Sequence, residues 1–229
     1  MHEFASILFA AAGGALPALA WLWFWLREDK HPEPRSLLAL AFFVGMLTVV
    51  VTIPAQKFAA TLITSTTYVF IAWSFIEEIF KYSAARIAIL WRKDVDEPID
   101  TVIYMITVAL GFAAVENALF LLSPLSGSGF MSIFLTGNLR FIGATLLHVL
   151  SSAVIGIFLA LSFYKRPRER AFYACLGVIL AAVLHSTFNF FILHTSDQNL
   201  FRTFAMVWVG VIAVLAILEY VKYVRRCRI

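Results

Sequence analysis

The chain alternates long apolar runs with short polar segments. Seven runs stand out: Phe4 to Leu26, Leu37 to Ile53, Tyr68 to Leu90, Ile99 to Leu122, Phe141 to Tyr164, Ala171 to Leu193 and Phe201 to Tyr223. Each approaches the ~20 residues that cross a hydrocarbon layer as a helix. Between them lie REDKHPEPR (Arg27 to Arg35), WRKDVDEP (Trp91 to Pro98), KRPRER (Lys165 to Arg170) and HTSDQN (His194 to Asn199). Prolines in several of these stop helices. Two places break the regularity. Pro54 and a threonine-rich stretch, Thr61 to Thr67, close the second run. The apolar stretch from Met131 to Tyr164 is too long for one upright helix at ~1.5 Å per residue, so Thr136 to Arg140 is expected at its outer end or in an interfacial turn. Pro17 is expected to kink the first helix.

Composition agrees with the pattern. With 62% hydrophobic and 14% charged residues, the chain lies outside the range of soluble domains, roughly 45–50% apolar and 25% charged. The expected fold is all-α, a polytopic bundle of about seven transmembrane helices. Its 229 residues leave no room for a soluble domain, so residues 1–229 read as a single integral membrane domain whose first partner is the lipid bilayer. The net charge of +4 is explained by position, and no nucleic-acid partner is implied. Lysine and arginine concentrate after runs one, three and five and in the C-terminal tail, against Lys57 and Arg202 on the other side. The positive-inside rule then places the N-terminus outside and the C-terminus in the cytoplasm. Cys175 falls inside an apolar run and Cys227 in the basic tail, so no disulfide is expected between them, and no CxxC motif exists.

The third run carries FIEEIFK, with Glu77, Glu78 and Lys81 in mid-membrane. Buried ionisable groups cost roughly 2.5–3.5 kcal/mol each on insertion and face a bundle interior or a wet cavity. Counting inward from the cytoplasmic helix ends puts Glu78 at about 20 Å, His185 at about 21 Å, His148 at about 24 Å and Glu116 at about 26 Å. Four helices thus contribute ionisable groups to one layer. Neighbours three or four residues away share a helix face, pairing Glu77 with Lys81, His185 with Asn189, and His148 with Ser151 and Ser152. Glu78 lies about 100° around the helix from Glu77, so one carboxylate acts while the other holds it. Singly, each group has a plain structural role: an intrahelical ion pair, a core histidine, interhelical hydrogen bonds. Together they suit either a hydrolase that activates water or a transporter or proton relay.

The ordered motifs resemble the PrsW family of intramembrane proteases, itself similar to the CAAX-protease and bacteriocin-processing superfamily. They are EExxK (Glu77, Glu78, Lys81), FxxxEN (Phe112, Glu116, Asn117), Arg140 with His148, and HxxxN (His185, Asn189), with the DKHPEP loop at Asp29 and DEPID at Asp96. Asn189 stands where family members often have aspartate. The resemblance implies a bacterial cell-membrane peptidase that cuts a membrane-anchored protein, the best-known case being an anti-sigma factor cut on its extracytoplasmic side. A non-catalytic scaffold is also found among the wider superfamily. The catalytic set is expected to be Glu77, Glu78, Glu116, His148, His185 and Asn189, with Glu77 or Glu78 as base and His148, His185 and Asn189 binding water or the oxyanion. In CAAX relatives a histidine takes the place of Glu116. Two imidazoles and a carboxylate also make a catalytic zinc ligand set, which would be Glu116, His148 and His185. A metal-free site using the same groups is the alternative.

Overall fold

In a computed structural model the described residues form seven helices. The structure describes residues 2–27, 31–122, 130–194 and 200–221, and side chains for 4–27, 31–122, 143–191, 205 and 208–221. The helices are α1 (His2–Leu26), α2 (Arg35–Leu62), α3 (Thr66–Ala88), α4 (Pro98–Leu122), α5 (Phe130–Leu161), α6 (Pro167–His194) and α7 (Leu200–Val221). Five of them, α1, α2, α4, α5 and α6, are long and apolar enough over their described residues to cross a membrane. In α3 the two glutamates, Lys81 and Arg86 interrupt the apolar run, and the described apolar part of α7, Trp208–Val221, is shorter. This is a polytopic all-α membrane protein.

Two sequence expectations about boundaries are corrected. α2 does not stop at Ile53 but continues through Pro54 to Leu62. Pro54 removes one backbone donor, and membrane helices tolerate this because neighbouring groups satisfy the freed backbone. Around it the Thr52 hydroxyl bonds the Thr48 carbonyl at 2.8 Å, and the Trp73 indole bonds the Gln56 carbonyl at 2.9 Å. Of the two places expected for Thr136 to Arg140, the interfacial turn is excluded: the stretch is helical and continuous with the rest of α5. Its 32 residues give a length of about 48 Å at 1.5 Å per residue, longer than the hydrocarbon layer, which such helices accommodate by tilting. α1 runs unbroken through Pro17.

α4 is the axis of the bundle. Every residue from Pro98 to Ala114 is buried, as expected of a helix that is apolar all round. α5, α1 and α2 pack most extensively around it, while α3 lies between α2 and α6, and α6 between α3 and α5. Close approach is made possible by small residues: a Cβ on Gly45 of α2 would run into the Val108 carbonyl, and one on Gly111 of α4 into that of Phe42. At one end the connecting segments are tied together. His31 Nδ1 lies 2.9 Å from Glu97 Oε1, the Tyr104 hydroxyl bonds buried Glu33, and Asp100 Oδ2 accepts from the backbone N–H groups of Asp96 and Glu97 at 2.9 and 2.7 Å. The described part of the first motif, residues 31–34, and DEPID thus form one structural corner. Pro98 and Pro167 open α4 and α6 at the position where a missing N–H costs nothing, and Glu169 reaches back to the Arg166 N–H at 3.1 Å, as in a capping box.

Candidate active site

Glu77, Glu78 and Lys81 project from the middle of α3: Glu78 is twelve residues from Thr66 and ten from Ala88. All three are buried, as are His148 on α5 and His185 on α6. The structure joins Glu78, Lys81, His148, His185 and Glu116 in one hydrogen-bonded group, with Glu77 beside it across a gap.

Glu78 is fully committed. Its Oε1 receives the Lys81 ammonium at 2.6 Å, the Ser151 hydroxyl at 2.9 Å and His185 Nδ1 at 2.9 Å. Ser152 approaches Oε2 at 3.4 Å. The ion pair on this face is therefore i, i+3, with Glu77 farther from Lys81 at 4.0 Å. Ser151 and Ser152, grouped with His148 by spacing, turn their hydroxyls to Glu78.

Glu77 is held on one oxygen only. Gln56 of α2 donates to Oε1 at 2.8 Å. Oε2 is buried with no hydrogen-bond partner among the described residues. It looks instead across a gap at His185 Nε2, 3.7 Å away, and His148 Nδ1, 3.9 Å away. A buried, unpaired carboxylate oxygen is costly, and such orphans mark places where a water or ion belongs.

Hydrogen-bonding logic assigns the imidazoles. His185 donates Nδ1–H to the Glu78 carboxylate, which leaves the Nε2 lone pair facing Glu77. His148 Nδ1 accepts from Lys81 at 3.0 Å, so its proton is on Nε2, which donates to Glu116 Oε2 at 2.6 Å. The rings of His148 and His185 meet edge to face with centroids 5.2 Å apart, and Phe112 backs His148 at 5.3 Å. The Lys81 ammonium lies 4.7 Å from the Phe112 ring centre.

Glu116 thus lies on the far side of the His148 ring from the gap, and its side chain is 30% exposed while its five partners are almost fully enclosed. Asn189 bonds the Ser74 hydroxyl at 3.3 Å, one turn of α3 away from Glu77, and Asn117 bonds Thr145 at 2.9 Å. The Arg140 side chain lies outside the described residues. Sequence reasoning missed Gln56, which it left beyond the end of the second span; its one signal was a lone amide beside a proline in an apolar run.

Glu77, Glu78, His148 and His185 each offer a ligand atom within 4.8 Å of the others, a group that could hold a metal ion. Tetrahedral zinc with ligands at ~2.0–2.2 Å needs ligand atoms about 3.4 Å apart. The Glu77 Oε2 distances of 3.7 and 3.9 Å come within a few tenths of an ångström of this, and the orphaned oxygen is the donor such an ion would satisfy. The residues fit a metal once Lys81 gives up His148 Nδ1.

Comparison with known proteins settles the family. A family model described as PrsW family intramembrane metalloprotease matches residues 33–218. The chain belongs to the PrsW family. Relatives named Protease PrsW include those of Oceanobacillus iheyensis, 28% identical over 210 residues covering 88% of this chain and 91% of the relative, and Bacillus subtilis, 25% identical over 193 residues covering 81% and 84%. That of Geobacillus kaustophilus is 26% identical over 189 residues, covering 80% and 79%. No solved structure gives a significant match. As a PrsW-family member the chain is an intramembrane peptidase, an integral membrane protein whose substrate is a protein.

Proposed function

We propose that the chain hydrolyses a peptide bond of a membrane-anchored protein near the extracytoplasmic side of the membrane, with Glu77 as the general base. The observation that carries this reading is the unpaired Glu77 Oε2 facing the free lone pair of His185 Nε2 at 3.7 Å. A water between them donates to both acceptors. On attack Glu77 takes the proton, the water oxygen bonds to the scissile carbonyl carbon, and the same carboxyl returns the proton to the leaving amine as the C–N bond breaks. The Lys81 ammonium and the Asn189 amide are the donors for the oxyanion. Glu78 is a positioning residue: it fixes the His185 tautomer and anchors Lys81.

The metal reading uses the same gap. Glu77, His148 and His185 would hold the ion, with zinc the candidate, and the ion would lower the pKa of a bound water to about 7. Glu116, assigned as a ligand from sequence, instead orients His148 through Nε2, the usual role of a carboxylate behind a ligating histidine.

Orientation follows the positive-inside rule, with the N-terminus outside, residues 1–229 forming one membrane domain, and an anti-sigma factor or similar single-span regulator as the substrate class the family suggests. Purified protein in vesicles is expected to cut a single-span reporter near its outer boundary, and Glu77→Gln to abolish the cut. Ion flux through vesicles without any cleavage would replace this reading with that of a transporter.

A further inference from the structure

An open groove of about 650 Å³ runs between α3 and α6, lined by Thr66, Phe70 and Ile71 on one wall and Ser186, Phe190 and Phe191 on the other. It lies in line with the candidate active site. On α3 Thr66, Phe70, Ser74 and Glu77 follow at helical spacing along one face, and on α6 Ser186 and Phe190 flank His185 and Asn189. One turn beyond Phe70 on α3, between the groove's lining and Glu77 in the helix order, the Asn189 amide of α6 bonds the Ser74 hydroxyl at 3.3 Å. The groove runs from Thr66 towards Glu77, eleven residues away or about 16 Å along α3, roughly half the ~30 Å hydrocarbon layer.

We infer that this groove receives the membrane-embedded segment of the substrate in unwound form, and that the Ser74–Asn189 bond is the bar between groove and catalytic carboxylates. The inference rests on the peptidase reading given above. Three features favour a peptide over a lipid chain. The groove's lining mixes phenylalanine and isoleucine with hydroxyls, and carries no charge. An unwound peptide in hydrocarbon must satisfy its backbone N–H and C=O groups, for which Thr66, the Asn189 amide and the Ser186 oxygen are partners, Ser186 as acceptor only because its hydroxyl donates to the Ala182 carbonyl at 2.7 Å; an acyl chain has no use for them. At the mouth, Ser65 makes no side-chain cap on α3, which leaves the first-turn N–H groups as further donors. The substrate backbone then replaces Ser74 as partner of Asn189, and the scissile carbonyl arrives beside Glu77.

The test uses the full chain carrying Glu77→Gln in lipid nanodiscs. The probe is a synthetic single-span peptide of about 20 alanines and leucines, flanked by lysines, with a photoreactive diazirine leucine in its outer half. Label is expected on Phe70, Ile71, Phe190 and Phe191, reduced several-fold by Ser186→Phe, which fills the groove. Label confined to the outward-facing Phe43 and Val50 of α2 overturns the proposal. So does labelling of the groove by a photoreactive phosphatidylcholine that excess peptide does not displace. Cleavage of the unlabelled peptide by the unsubstituted chain is scored separately. Cleavage without groove labelling removes the docking site and keeps the peptidase; groove labelling without cleavage does the reverse.

Discussion

The ammonium of Lys81 lies 3.0 Å from Nδ1 of His148, on the lone pair that an incoming metal ion would need. The same ammonium neutralises Glu78 at 2.6 Å. Lys81 therefore has two jobs, holding the buried negative charge and occupying the imidazole, and removing it separates them. Lys81→Met leaves Glu78 as an uncompensated buried charge, a change that costs about 3–5 kcal/mol. The variant is expected to unfold at lower temperature in detergent. Adding Glu78→Gln should recover part of the loss, so that a double-mutant cycle shows positive coupling.

The two adjacent glutamates are expected to behave differently. Glu77→Gln keeps a partner for Gln56 and removes only the unpaired oxygen's basicity, so thermal stability stays near that of the parent while cleavage falls about 10²–10⁴-fold, the usual share of a general base. Glu78→Gln weakens the bonds to Lys81, His185 and Ser151 and is expected to lower stability as well as rate. Melting curves beside single-turnover cleavage rates decide the matter. Equal stability losses for both would contradict the division of roles.

Metal content separates Glu116 from the gap residues. If zinc copurifies, Glu77→Ala and His185→Ala should lose it, whereas Glu116→Gln should retain most of it, binding about 10–100-fold more weakly as for an orienting partner. Elemental analysis of the purified variants gives the answer. Full activity in a sample stripped by a strong chelator would leave the reaction to the glutamates and histidines alone.

Single cysteines at Lys57 and Arg168, in a background lacking Cys175 and Cys227, are expected to label from opposite faces with a membrane-impermeant thiol reagent, Lys57→Cys from outside. Both positions are exposed. Labelling of Arg168→Cys from outside would invert the orientation and move the groove to the cytoplasmic leaflet.

Gly111→Leu is expected to disrupt the α2–α4 contact, because even the first carbon of the side chain meets the Phe42 carbonyl and backbone cannot yield as a flexible side chain does. Overpacking of this kind costs about 1–3 kcal/mol or more. A matched substitution on the outward face of α2, Val50→Leu, should change the melting temperature little.

Helix number and order were legible because a membrane span is written in a single variable, the length of the apolar run. Boundaries were not, where that variable misleads. Pro54 reads as a stop in a water-soluble helix, but here the helix runs through it to Leu62, with Trp73 of α3 packed against the following turn through its bond to the Gln56 carbonyl, a tertiary contact that no linear pattern shows. Depth counting gathered Glu78, His148, His185 and Glu116 into one layer, and the structure joins them by hydrogen bonds. Depth carries no information about direction within the layer, which is why it could not tell that Glu116 meets the outer nitrogen of His148 while Glu77 faces the inner one. The choice of Glu78 over Glu77 as Lys81's closer partner depends on side-chain angles, since i+3 and i+4 are equally allowed on a helix.

The enclosure of α4 has a consequence for how the chain is made. α4 emerges from the ribosome before α5, the helix that covers much of its surface, so its buried polar groups need partners in the meantime. Near its start they carry their own: Asp100 is capped by the N–H groups of Asp96 and Glu97, and Thr101 and Thr107 bond the carbonyls of Pro98 and Ile103. At the other end Glu116 and Asn117 wait for His148 and Thr145 of α5. With only its first four helices in place, a nascent chain already holds Glu77 and Glu78 but neither His148 nor His185, so on the mechanism proposed above it gains activity only when the fifth and sixth helices arrive.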